Sequence, residues 1–307
     1  MKRLFSIALV LVLILSATQL AIACSSFAVY GKNGPVIGMN VDWPAYGEAQ
    51  ESPDGRFFEQ RDNRVAINFH GDTKVFRYDH HFFFNDWGVF GCAQEAWPPQ
   101  RMERSYESLI HWHPTLYALG AEFEKATDIV EVLEGARLRD LRDADFHCLF
   151  ADSQGNAIIV EPGVDQNHLL PMEGNYIVMT NFFHHLLDGD YTDPNLDAYP
   201  HLTLMDYLDP DRRYRMAEIM IQSSLDDFDY MKALEVLEAV SQPITKFSIV
   251  IAPEQKQLYI ALFRDFSQIW QVDLEAETIA TYLGFADYRI EKLDVKGWTV
   301  DELMEWR

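Results

Sequence analysis

The chain reads as one α+β domain in which helices cover antiparallel sheets. Two observations carry that reading. Hairpin signals stand near both ends and in the middle, whereas helical periodicity is confined to a central stretch and a later pair. Strands and helices therefore segregate instead of alternating, and no repeat, low-complexity tract or linker divides them.

Taken in order, 25–31 and 35–43 are apolar runs around Lys32-Asn33-Gly34, a hairpin turn. Residues 44–63, rich in Pro, Gly, Glu and Asp, read as an exposed loop. Strands follow at 64–69 and 87–94. Apolar spacing turns helical over 106–119 and again over 128–139, with Thr127 or Asp128 as cap of the second helix. Ser153-Gln154-Gly155-Asn156 joins two apolar runs as a second hairpin, and 175–183 is another strand. Residues 188–209 form an irregular connection. Asp209-Pro210 opens a helix to Ser224, with proline at its first position, and Asp226 or Asp227 opens another to Val240. Strands at 247–252, 257–263 and 268–273 close the pattern.

The first 23 residues differ from the rest. Lys2 and Arg3 precede an apolar run over 4–15, too short to span a bilayer, and Ala21 and Ala23 supply the small-x-small pattern of a cleaved export signal. Cleavage after Ala23 leaves a domain of residues 24–307 that starts at Cys24 and lies in the periplasm or outside the cell. The net charge is −23, and the signal carries two bases and no acids, so the exported part is near −25. Such a surface repels nucleic acid and anionic membranes. Three cysteines are too few for a disulfide scaffold; Cys92 and Cys148, each in an apolar run, read as buried thiols, with mutual pairing the alternative.

A cysteine freed at its amine has nucleophile and base on one residue. The thiol pKa is ~8.5 and the amine ~8, so the amine accepts the thiol proton near neutrality at little cost. Lipid attachment at Cys24 is the competing reading of a cysteine after a signal.

The residues after Cys24 narrow the choice. Cys24-Ser25-Ser26-Phe27, a hairpin, and Gly38-Met39-Asn40-Val41-Asp42-Trp43 resemble the opening of the choloylglycine hydrolase group of N-terminal-nucleophile linear amide hydrolases. Asn85-Asp86-Trp87-Gly88-Val89, the hairpin ending at Glu161, and Val178-Met179-Thr180-Asn181 are similar to later family motifs in the same order. The resemblance implies a four-layer αββα sandwich, no cofactor, and hydrolysis of a small N-acyl amide through a thioester on Cys24. Passing the acyl group to an amine, or a lipidated binding protein, are the alternatives; homo-oligomerisation stays open.

By the same resemblance, Asp42 orients the α-amine, the Asn181 side chain donates into the oxyanion hole, and Arg213 stands near the nucleophile. Two positions depart from the family. Met39 replaces an arginine, and a thioether cannot supply its charge or donors. At Gln94-Glu95 the family carries an Asn whose backbone serves the oxyanion; Gln94 or Glu95 can still offer a backbone N–H. His80-His81, His111-x-His113 and His184-His185 lack HExxH or Cys-x-x-Cys spacing, so no metal is expected. His184, just after Asn181, is expected at the substrate cleft, as are some of the aromatic residues among Phe82–Phe84, Trp87, Trp97, Phe182 and Phe183.

Overall fold

The computed structural model describes residues 24–42, 64–78, 82–96, 109–111, 120, 122–134, 137–139, 146–163, 166–186 and 210–307. The proposed signal, the loop at 44–63, the connection at 188–209, His80, His81, His113 and Trp97 lie outside them.

The first hairpin is β1 (Ser25–Gly31) and β2 (Gly34–Asp42), turned by Gly34 at φ +94°, a left-handed conformation that glycine adopts without strain. Then come β3 (Arg64–His70), β4 (Thr73–Tyr78), β5 (Phe82–Asn85) and β6 (Phe90–Glu95), a meander. Short β7 (Leu109–His111) pairs in parallel with β8 (Arg137–Arg139). Between them lies α1 (Ala126–Glu134), whose first N–H is accepted by Asp152, 26 residues on, at 3.0 Å. The second hairpin is β9 (Phe146–Ala151) with β10 (Ala157–Glu161); β11 (His168–Pro171) and β12 (Tyr176–Thr180) come next. Helices α2 (Pro210–Ser224) and α3 (Tyr230–Ala239) precede β13 (Thr245–Ala252), β14 (Gln257–Leu262), β15 (Asp265–Asp273) and β16 (Thr278–Leu283). The chain ends with β17 (Ile290–Lys292), β18 (Trp298–Thr299) and α4 (Val300–Met304).

These strands make two eight-stranded antiparallel sheets. Sheet 1 runs β12-β1-β2-β13-β14-β15-β16-β17, and sheet 2 runs β11-β10-β9-β6-β5-β4-β3-β18. Alternation along each strand sorts the side chains into three cores. Cys24, Ala28, Ile37, Met39 and Val41 point between the sheets, meeting Phe82, Phe90, Cys92 and Leu149 of sheet 2. Phe27, Val29 and Val36 point the other way, against Ala217 and Ile221 of α2 and Leu234 and Leu237 of α3. Phe83, Cys148 and Phe150 pack outward on Ile129 and Leu133 of α1. The order of layers is helix, sheet, sheet, helix: the αββα sandwich that the resemblance implies.

The two sheets are held by apolar contact. Tyr78 of sheet 2 stacks on Phe247 of sheet 1 at 4.1 Å, and each fully buried aromatic ring contributes about 1.5–3 kcal/mol. Gly38 is required by packing: a Cβ there would lie 2.3 Å from the Phe27 ring. All three cysteines are free, and Cys92 and Cys148 point to opposite faces of sheet 2, so they do not pair.

Several expected elements differ. Residues 109–111, expected helical, form strand β7, because pairing with β8 overrides local periodicity; the rest of 106–119 lies outside the described residues. The helix expected over 128–139 runs Ala126–Glu134 and gives way to β8. The strand expected over 87–94 begins only at Phe90, after a turn whose N–H groups on Trp87 and Val89 bond Asn85 Oδ1 at 3.2 and 2.9 Å. Asp229, not Asp226 or Asp227, caps α3, accepting from the N–H groups of Met231 and Lys232. Among the described residues no helix is long and apolar enough to cross a membrane.

Candidate active site

Cys24 stands one residue before β1, almost fully buried, with its side chain in the layer between the sheets. The pairing of Ser25 with Thr180 on one side and Asn40 on the other sets what surrounds it: the end of β12 and the end of β2. Asn181 and Asp42 occupy those two ends.

Arg213 ties the cluster together. The buried stripe of α2 is Pro210, Arg213, Ala217 and Ile221, so helical spacing puts the guanidinium on the face that meets sheet 1. Thr180 Oγ1 donates to the Pro210 carbonyl at 2.8 Å and anchors the helix start to β12. Arg213 then donates to the Cys24 carbonyl at 2.7 Å, Ser25 Oγ at 2.5 Å and Asn181 Oδ1 at 3.0 Å. Because Oδ1 of Asn181 faces the guanidinium, the amide's donor end, Nδ2, is turned away from it. Gln94 of sheet 2 reaches across the interlayer: its Nε2 donates to the Cys24 carbonyl at 3.3 Å, and its Oε1 accepts from Ser26 Oγ at 2.8 Å and Ser26 N–H at 3.2 Å.

Asp42 is held by Thr245 and Gln242. Thr245 Oγ1 donates to Asp42 Oδ1, and Gln242 Nε2 donates to Oδ2 at 3.1 Å. A β-bulge makes this arrangement. The register between β2 and β13 pairs Val41 with Phe247 but Asp42 with Thr245. Unbroken pairing would have set Lys246 opposite the carboxylate; the extra residue brings the hydroxyl instead. Burial consequently raises the Asp42 carboxyl to about 7, against the opposing pull of Arg213, the Thr245 hydrogen bond and Arg264. Burial, and next the Asp42 charge, push the Cys24 thiol far above its ordinary range, while the Asp42 backbone N–H, bonded to the sulfur, lowers it.

The structure thus brings Cys24, Asp42, Asn181, Arg213 and Gln94 into one cluster, and adds Ser25, Ser26, Gln242 and Thr245. Met39, across from Ser26 in the β1–β2 ladder, is fully buried on the Cys24 face of sheet 1. Glu95 pairs with Phe146 at the end of β6. His184 begins a 3-10 turn after β12, its ring stacked on Phe182 and its Nδ1 3.1 Å from Glu161 Oε1. Phe82, Phe83 and Phe84 are fully buried in the cores, Phe182 and Phe183 nearly so, and Trp87 is exposed.

The added residues carry little signal in sequence. Thr245 and Gln242 are reached only through the bulge. Arg213 is better marked, as a cation at a core-facing helical position.

The two-sheet αββα sandwich recurs in solved structures. Two variant crystal structures of conjugated bile acid hydrolase from Clostridium perfringens share it. One matches at TM-score 0.55 and 15% identity over 89% of this chain and 98% of that one. The other matches at 0.54 and 15% over 88% and 97%. Penicillin V acylase from Agrobacterium tumefaciens matches at 0.48 and 13% over 89% and 96%. No protein-family model and no curated sequence matches the chain.

Proposed function

We propose that the protein is an exported amidohydrolase acting on linear, non-peptide N-acyl amides, with Cys24 as nucleophile once residues 1–23 are removed. The observation that supports it most is the Arg213 clamp, which gathers the Cys24 carbonyl, Ser25 and Asn181 at the mouth of β1 beside Asp42. The shared fold with conjugated bile acid hydrolase points to the same chemistry.

In this reading the freed α-amine takes the thiol proton and Sγ attacks the amide carbonyl carbon. The carbonyl oxygen becomes an oxyanion held by Asn181 Nδ2 and a backbone N–H of Gln94 or Glu95. The amine returns the proton to the leaving nitrogen, the C–N bond breaks, and an acyl-thioester stays on Cys24. Water, deprotonated by the same amine, cleaves the C–S bond and releases the acid. Asp42 pairs with the amine in its ammonium form. Met39 lies on the Cys24 face of sheet 1 where the family carries an arginine, so that position adds no charge beside the nucleophile.

The test compares a chain in which Met-Gly-Ser precedes Cys24 with the same chain trimmed by a site-specific protease to begin at Cys24. The trimmed form is expected to hydrolyse members of an N-acyl amide panel and to show a mass adduct equal to the acyl group; the extended form does neither. Equal rates from both forms refute the mechanism, and a diacylglycerol adduct on the exported protein replaces it with the lipoprotein reading.

A further inference from the structure

Sheet 2 carries a carboxylate on which more nitrogens converge than it has room for. Glu161 ends β10 opposite His147 of β9, one step beyond the Val160–Cys148 pair. Its Oε1 accepts the His184 backbone N–H at 2.7 Å and also lies 3.1 Å from His184 Nδ1 and 3.2 Å from His147 Nδ1. Its Oε2 accepts the His185 N–H at 3.0 Å and lies 2.6 Å from His185 Nδ1. Five nitrogens thus meet a group with about four lone-pair sites, three of them at one oxygen.

The backbone N–H groups are fixed donors; the ring nitrogens are not. Nε2 of His147 and of His184 is buried without a hydrogen-bond partner, so nothing on the far side of either ring sets its tautomer. With the proton on Nε2, both Nδ1 lone pairs face Oε1, an arrangement that a cation among the three atoms stabilises. From this convergence we infer that His147, Glu161 and His184, with His185 at the edge, bind one divalent cation of the zinc class.

The spacing suits such an ion. Ligands about 2.0–2.1 Å from a tetrahedral centre stand about 3.3 Å apart, close to the 3.1 and 3.2 Å found here. Two imidazoles and one carboxylate match zinc and its late first-row neighbours, whereas magnesium and calcium take oxygen ligands. The side chains of Glu161 and His147 are wholly inaccessible and His184 is 7% exposed, so water reaches the site poorly, as at a structural ion. Among the described residues, the Glu161 carboxylate faces these three imidazoles, and a bound cation balances its charge. It locks the turn after Asn181.

The experiment strips the trimmed protein with chelator, adds Zn2+ or Co2+, and measures bound metal, melting temperature and the cobalt absorption spectrum. Expected are about one equivalent of metal, a raised Tm, and a cobalt d–d spectrum without a thiolate charge-transfer band. His147→Gln and His184→Gln are expected to weaken binding at least roughly tenfold, and Cys24→Ala to leave it intact. Binding well below one equivalent with an unchanged Tm overturns the inference and leaves a hydrogen-bonded cluster. A thiolate band overturns it too, by moving the ion to a cysteine, as do folded His variants that keep full affinity. If both variants fail to fold, the wild-type cobalt spectrum decides. The inference is separable from the amidohydrolase reading: an inactive protein that binds the ion leaves it standing, and an active one that binds none removes it alone.

Discussion

Asp42 is expected to make stability fall as pH rises wherever the Cys24 amine is held in a peptide bond. Burial raises its carboxyl from 3.8 to about 7, so the folded state holds the proton more tightly than the unfolded state does. The associated stability is full below the unfolded value and is lost as pH rises through the folded value. Three units correspond to about 4 kcal/mol, and because the group is fully buried no solvent discount applies. The sequence pI of ≈ 4.7 argues for working above it, and between pH 5.5 and 8 about 2 kcal/mol of the loss remains. Asp42→Asn stays neutral throughout, and Gln242 can turn its amide to accept from the new side chain. In the chain extended by Met-Gly-Ser, urea unfolding should therefore find the variant gaining about 2 kcal/mol on its parent from pH 5.5 to 8. In the chain beginning at Cys24, the ammonium beside Asp42 offsets the buried charge, and the gain should shrink. A flat difference in the extended chain refutes the burial argument. The same gain in both chains shows that the amine does not reach Asp42.

Other substitutions test the rest of the site. Arg213→Lys replaces a fork that serves three acceptors with a single ammonium; kcat should fall at least roughly 10²-fold and stability by about 3 kcal/mol, read by turnover and urea unfolding. Asn181→Ala should lower kcat by about 10²- to 10³-fold with a smaller change in KM, the usual cost of one oxyanion donor; a pure KM effect would make it a binding residue. Cys92→Ser and Cys148→Ser, in the interlayer and under α1 respectively, should each cost about 1–3 kcal/mol by burying a hydroxyl while sparing turnover.

What the sequence determined by itself is local. The first hairpin and its Gly34 turn, the Ser153–Asn156 hairpin and the start of α2 at Pro210 all depend on neighbours a few residues apart. Those elements stand where local pattern places them, and the αββα layering follows from the resemblance of their motifs. Tertiary structure decided whatever depends on distant partners. Strand β7 exists because β8 pairs with it, against its own helical periodicity. Strands β5, β11, β17 and β18 are not legible locally, because short or edge strands gain their stability from a sheet that local pattern does not show. The bulge that sets Thr245, not Lys246, opposite Asp42 is a property of the ladder, and it leaves the carboxylate without a lysine partner. Glu161 and His147 stand 14 residues apart on adjacent strands, and His184 lies 23 residues beyond Glu161. Only the pairing of β9 with β10 and the turn after β12 bring those nitrogens onto one carboxylate, a convergence that motif spacing cannot express.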